Sequence, residues 1–146
     1  MHTESAFETY VVEDRLDRAL KVIRSELNAT EVDVVREFDL SEVLVHENGL
    51  TRAAGKVLLV DDPFLVFEAL ALDRAAAVFF PLHVLVMGMG GGRTQVSIAA
   101  PSKLLNARFP AGAVGPIERL VGRVELALKS AAARGARTEA LVGGET

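Results

Sequence analysis

Apolar residues follow two different periods along the chain, and each period predicts a type of element. The first segment, "FETYVV" (7–12), alternates and is rich in β-forming residues, so it predicts a strand. In the next segment, "EDRLDRALKVIRSELN", apolar residues recur every three or four positions. That spacing predicts a helix whose buried stripe would contain Leu16, Ala19, Leu20, Ile23 and Leu27. Such a helix covers one face of a sheet.

The second predicted strand, "VDVVREF" (32–38), contains a conflict with simple alternation. Arg36 falls on the same face as the apolar residues of this strand. We therefore expect either a bulge that shifts the register or an edge position. The following "LSEVLVHENG" favours a short helix that begins after Asp39 and ends at Asn48-Gly49.

A third strand, "GKVLLVD" (55–61), leads directly into a helix-start signal. Asp62 can accept hydrogen bonds from the free N–H groups of a first helical turn, and Pro63 supplies a suitable backbone angle. The helix that follows has Glu68 as the single polar residue between positions 64 and 72. We expect this helix to be covered on more than one side.

Two further strands are predicted in "VFFPLHVLVM" (78–87) and "RTQVSIA" (93–99), around a glycine-rich segment. Gly88 to Gly92 resemble a phosphate-binding loop, but such a loop works at the start of a helix. Here a strand pattern follows, the third glycine position of G-x-G-x-x-G holds Arg93, and no G-K-[ST] is present. The segment therefore predicts a β-hairpin without a phosphate site.

The last predicted element is a helix from Pro116 to about Arg134. Its apolar stripe contains Ile117, Leu120, Val121, Val124 and Leu128. We predict a single α+β domain over residues 1–134 and a frayed C-terminal tail over 135–146. The fold class is an antiparallel β-sheet with helices packed on it, in the order β-α-β-(α)-β-α-β-β-α.

Composition and charge narrow the class of protein. The chain has no cysteine, which removes disulfides and thiolate chemistry, and its start lacks the features of a signal peptide, so we expect a cytoplasmic protein. The apolar run 75–92 is interrupted by Pro81, His83 and glycines, so it favours a buried strand over a membrane span.

Charged residues are unevenly distributed along the chain. Residues 1–73 carry 16 acidic and 7 basic side chains, whereas residues 74–146 carry 4 acidic and 9 basic side chains. We expect these halves to neutralise each other within one domain or across a dimer, and we expect no nucleic-acid partner.

The order of four segments resembles a known family. They are "YVVEDRLDRALKVIRSEL", "VLLVDDPFLVFEALALD", "VFFPLHVLV" and "VSIAAPSKLL". From about Phe7 to Leu128 the chain resembles the bacterial and archaeal domain of unknown function 302. The resemblance implies a compact α+β domain similar to one half of a TATA-binding-protein-like fold, commonly paired as a dimer, with no established reaction. Relatives often carry cysteines where this chain has Asp61 and Leu82, so a thiol role does not transfer.

Three polar residues form the candidate site: Asp61, His83 and Arg36. A strand end, a helix start and a neighbouring strand are able to bring Asp61, Asp62 and His83 together for metal binding or proton transfer. Asp62 is better explained as the helix cap, and His83 as a half-covered histidine satisfied by backbone or water. Asp61 has no such structural role, which makes it the best candidate for a ligand contact, although aspartates at strand ends usually just face solvent. Arg36 would contact an anionic ligand or Asp61, or would protect an edge strand from aggregation.

Our leading hypothesis is a non-enzymatic homodimer that binds a small molecule or a partner protein, with no cofactor, metal, nucleic acid or membrane. The alternative is an enzyme that uses Asp61 and His83 in acid–base or metal-assisted chemistry. The homodimer is predicted because residues 78–87 are apolar on both faces and because Leu126 falls among Arg119 and Arg123 on the polar side of the last helix. A monomer would instead require the segment around Leu40 to Val45 to cover the second face.

Overall fold

The computed structural model of the protein describes residues 7–40, 54–99 and 111–143; for residues 76, 111–113 and 135–143 it describes the backbone alone. The elements are β1 (Phe7–Val12), α1 (Leu16–Ala29), β2 (Asp33–Asp39), β3 (Gly55–Asp61), α2 (Pro63–Leu72), a 3₁₀-helix (Arg74–Phe79), β4 (Leu82–Gly90), β5 (Arg93–Ala99) and α3 (Ala111–Gly143). The helix predicted after Asp39 lies outside the described residues.

The five strands form one antiparallel sheet in the order β1-β5-β4-β3-β2. Helices α1 and α3 contact each other and the strands, and α2 packs on α3. The predicted α+β class is therefore confirmed.

One face of the sheet lies beneath the helices, and we call it the covered face. Alternate side chains of the strands are buried there, including Val12, Leu58, Val60, Val84, Val86, Val96 and Ile98. Helix α1 contributes Ala19, Leu20, Ile23 and Leu27, and α3 contributes Ile117, Leu120, Val121, Val124 and Leu128. Both helices bury the stripes predicted from their apolar spacing, apart from Leu16, which is partly buried against the core.

The opposite face of the sheet, which we call the open face, carries the remaining side chains of the same strands. Its apolar members are Phe7, Val11, Phe38, Val57, Leu59, Leu85 and Met87, all of them half-buried or exposed. Met87 lies across Gly55, where an added Cβ would come within 2.1 Å of the methionine sulfur. Because Gly55 has no side chain, the Met87 side chain can lie against the sheet at this position.

Strand β2 resolves the conflict at Arg36 in both of the expected ways. It lies at an edge of the sheet, and its register shifts between Val34 and Arg36. The extra residue, Val35, puts Arg36 opposite Leu59 on the open face, while Val34 stays opposite Val60 on the covered face. The Arg36 guanidinium lies 5.5 Å from the centre of the Phe38 ring.

The glycine-rich segment joins β4 to β5 as the predicted hairpin. Gly90, Gly91 and Gly92 have φ angles of 81°, 65° and 73°. Residues that carry a Cβ rarely adopt such positive φ angles. At the base of the hairpin, the Thr94 hydroxyl donates to the Asp14 carbonyl at 2.9 Å, and Arg93 pairs with Glu13. The hairpin is thereby attached to the turn between β1 and α1.

The bounds of two elements differ clearly from the predictions. The strand predicted over 78–87 begins only at Leu82, because residues Arg74–Phe79 form the 3₁₀-helix, which the Asp73 side chain caps by accepting from the Ala75 N–H at 3.0 Å. An unbroken apolar run does not distinguish these two structures by its period. Helix α3 extends beyond the predicted range at both ends and contains Pro116.

Helix α2 is less covered than predicted. It buries Leu65 and Ala69, but Phe64 is 85% exposed and Phe67 is 74% exposed. The prediction that more than one side is covered is therefore wrong for the single chain.

Candidate functional site

Asp62 connects the sheet to the helices. Its Oδ1 accepts from the Phe64 N–H at 2.9 Å, which confirms the predicted cap of α2. Its other oxygen accepts from the Arg123 guanidinium of α3. Asp62 is buried, so this ion pair holds the start of α2 against α3. Sequence reasoning missed Arg123, because no local spacing connects two residues 61 positions apart.

Asp61 lies at the end of β3, opposite Asp33 of β2. Its Oδ1 accepts from the Asp62 N–H at 2.7 Å. Partial burial raises the pKa of the Asp61 carboxyl, and the nearby Asp62 and Asp33 raise it further, while the hydrogen bond from the Asp62 backbone acts in the opposite direction. Asp61 therefore binds a proton more readily than an ordinary aspartate.

The strand register brings the three candidate residues to one region of the open face. Leu59 has Arg36 opposite it on β2 and His83 opposite it on β4. Asp61 is two residues beyond Leu59 and shares its face. Diagonal neighbours in a sheet have Cα atoms about 7–8 Å apart, so Asp61 and His83 are within reach of a common ligand. Asp62 does not join this group, since it pairs with Arg123 among the helices.

A cleft of about 370 Å³ lies at the same end of the sheet, where β1 and β4 begin and β5 ends. Its walls come from the 3₁₀-helix and the turn after it, from the sheet and from α3. They include Val78, Phe79, Pro81, Leu85, Val121 and Val124. Val121 and Val124 belong to the same helix as Arg123, which pairs with Asp62.

The cleft has few polar groups. Among the described residues, His83 and Ser97 are the two lining residues with polar side chains, and no Asp, Glu, Lys or Arg of those residues lines the cleft. The Ser97 hydroxyl is 3.2 Å from the Thr9 hydroxyl. Sequence reasoning found His83 but not the cleft, because its walls come from segments that are distant along the chain.

The family model for "Domain of unknown function DUF302" matches residues 8–133. The chain belongs to this family. The fold of this DUF302 protein is similar to the crystal structure of an uncharacterized conserved DUF302 protein from Bacillus stearothermophilus, with a TM-score of 0.69. The two share 19% sequence identity over 85% of this chain and 99% of the other. No curated protein matches the chain.

Two features are absent from the described residues of the DUF302 chain. Within residues 7–40, 54–99 and 111–143, no group of three or more His, Asp or Glu side chains is arranged to hold a metal ion. Over these same ranges, no helix has both the length and the apolar character needed to cross a bilayer.

A second group of titratable side chains lies between β1 and α3 of the DUF302 domain. The Tyr10 hydroxyl donates to Glu8 Oε2 at 3.1 Å. Burial, followed by this bond and the charge of Glu8, raises the pKa of Tyr10 to about 12. Burial and a hydrogen bond with Glu8 also raise the pKa of Glu125. Glu8 and Tyr10 occupy inward-facing positions of an alternating strand, so the pattern "FETYVV" itself indicates that these two polar side chains lie together at the margin of the core.

Proposed function

We propose that the protein is a non-enzymatic homodimer that binds a small molecule in the cleft beside His83. The observation that carries the proposal is the cleft itself. Its volume of about 370 Å³ falls within the range of about 300–1,000 Å³ typical of small-molecule sites. Apolar walls with a few polar groups are also typical of such sites.

The ligand site is tested by native mass spectrometry of the purified protein. We expect an organic molecule to be retained by the natural sequence. Val78 lines the cleft and is 79% exposed, so Val78→Trp adds a bulky group at the cleft wall without entering the core. The variant should release the molecule, whereas Val35→Trp, at an exposed position on edge strand β2, should retain it. Equal retention by both variants would place the ligand elsewhere.

The homodimer is proposed to form through the open face. Five strands about 4.8 Å apart and six to nine residues long give this face a plan area of roughly 600 Å². Because side chains protrude from the sheet, the accessible surface of this face is larger than its plan area. A stable interface needs about 800 Å² of accessible surface from each partner. Arg36 and the acidic pair Asp33–Asp61 lie on this same face, so a two-fold pairing of identical faces allows opposite charges to meet.

Light scattering coupled to size exclusion tests the dimer at micromolar concentration. We expect twice the chain mass of 15.6 kDa. Leu85→Glu introduces a charge near the centre of the open face and should give the monomer mass. Phe64→Glu introduces the same charge on the exposed side of α2 and should leave the dimer intact. A monomeric natural protein, or a dimer that only Phe64→Glu disrupts, would contradict this interface.

An enzyme that uses Asp61 and His83 is the second candidate. Their common face and the raised pKa of Asp61 favour it, since a carboxyl that holds its proton more tightly suits acid–base chemistry. The mass spectrum separates the two candidates. A bound divalent metal that is lost in both Asp61→Asn and His83→Ala would favour the enzyme, whereas a retained organic molecule favours the binding protein.

A further inference from the structure

We infer that the cleft takes an uncharged, mainly apolar molecule of about fifteen non-hydrogen atoms, hydrogen-bonded at His83 and Ser97. This inference rests on the proposed ligand-binding function and specifies the chemical class of the ligand. It follows from the side chains of the cleft wall, its volume and the positions of its two polar groups.

The described wall favours uncharged ligands on energetic grounds. Among the residues that the structure describes, none of the lining side chains is a carboxylate, an ammonium or a guanidinium. A charged group that binds against this apolar wall gives up part of its hydration without gaining a carboxylate, ammonium or guanidinium partner, which is unfavourable. Asp61 and Arg36 lie on the open face but are not part of the cleft wall. The described wall therefore offers an amine no carboxylate, and a carboxylate no ammonium or guanidinium group.

The volume limits the size of the ligand. A cavity of about 150 Å³ accepts benzene, which has six non-hydrogen atoms. The cleft, at about 370 Å³, is therefore suited to a molecule of about fifteen such atoms, such as a substituted bicyclic ring. Phe7 and Phe79 contribute aromatic rings to the wall, and these favour a flat, unsaturated ligand.

The polar groups fix the orientation of the ligand. Ser97 is opposite Leu85, and His83 is two residues before Leu85 on the same face, so the two polar residues are diagonal neighbours. Each carries a group that can donate or accept a hydrogen bond when the imidazole is neutral. A hydroxyl or carbonyl group at one end of a ligand matches this pair, while the remainder of the ligand contacts the apolar wall.

A series of ligands with the same ring tests the charge preference. The probes are 2-naphthalenemethanol, 2-naphthoate and 2-naphthylmethylammonium, titrated into the full chain while backbone amide shifts are followed by NMR. We expect the uncharged alcohol to bind at least tenfold more tightly than either ion, with shifts at residues 78–85 and 97–99. Tighter binding of an ion, or the absence of alcohol binding, would overturn the inference.

Two variants test whether His83 and Ser97 form hydrogen bonds to the bound alcohol. His83→Ala and Ser97→Ala should each weaken binding of the alcohol by about 2- to 10-fold, and should leave binding of unsubstituted naphthalene unchanged. An equal loss for both compounds would contradict the assigned hydrogen bonds.

Different results would contradict the proposed ligand site and the inferred class of ligand. If the alcohol binds the Val78→Trp variant as well as it binds the natural protein, the cleft is not the ligand site. If the natural protein retains an ionic molecule that Val78→Trp releases, the cleft is the site and only the inferred class is wrong.

Discussion

Leu58 and Leu59 are neighbours in β3, yet they lie in different environments. Leu58 is fully buried beneath the helices, whereas Leu59 is half-buried on the open face between Arg36 and His83. The two faces are both rich in apolar residues, but the described helices that contact the sheet lie on the covered face. The comparison shows that alternation assigns residues to faces, while the packing of distant helices decides which apolar face becomes the core.

The largest expected effect on the free energy of unfolding comes from a matched pair of substitutions, one on each face of the sheet. Leu58→Ala leaves a cavity in the core and should lower the free energy of unfolding by about 2–5 kcal/mol. Leu59→Ala removes a similar side chain from a partly solvated site and should cost clearly less. Urea unfolding at submicromolar concentration, where a dimer contributes least, measures both values. Equal losses would show that the open face is as well packed as the covered face.

An intermediate effect is expected where the helices are held onto the covered face. Asp62→Ala removes both the cap of α2 and the partner of Arg123, and it should cost about 1–3 kcal/mol. Asp62→Asn keeps a capping oxygen but loses the ion pair, so its cost should be smaller by about 1 kcal/mol. Urea unfolding of the two variants gives the difference. If Asn is as costly as Ala, the ion pair is the dominant contact and the cap contributes little.

The smallest expected effect is on the pH dependence of the free energy of unfolding, and it involves Glu125 at the margin of the covered face. The pKa of Glu125 is raised in the folded state, so the folded chain binds its proton more tightly than the unfolded chain. That contribution to stability is fully present below the unfolded pKa and is lost as the pH rises through the folded pKa. Glu125→Gln keeps the hydrogen-bonding group without the titration.

The stability of Glu125→Gln relative to the natural protein should therefore increase as the pH rises from about 4.5 upwards. Urea unfolding at pH 4, 5.5 and 7 measures this difference between the two proteins. Asp61→Asn should show the same direction, since the pKa of Asp61 is also raised. A difference that stays constant over this range would contradict the shift at Glu125.

The parts of the fold that could be predicted depend on local chemistry. Asp62-Pro63 predicted a helix start because capping involves residues within one turn. Arg36 predicted irregularity in β2 because a charge on an apolar face conflicts with regular alternation. The 3₁₀-helix was missed because an apolar run on both sides of Pro81 has no period that distinguishes it from a strand.

The site was predictable only in part, for the same reason. Asp61, His83 and Arg36 were identified as single residues, and the register that groups them around Leu59 depends on the bulge at Val35. The partnership of Asp62 with Arg123 and the walls of the cleft require α3 to pack against the sheet and α2. No spacing within the sequence specifies that packing.

The three left-handed glycines of the hairpin have a consequence for tolerance to mutation. Gly90, Gly91 and Gly92 are exposed, and an added Cβ at any of them would meet no other atom within 4 Å. Replacement is nevertheless expected to cost about 1–2 kcal/mol at each position through backbone conformation alone. In a saturation screen for folded protein, this turn would stand out as an intolerant surface segment. Such a map of intolerant exposed positions would resemble that of a phosphate-binding loop, although the restriction comes from the handedness of the chain rather than from a ligand.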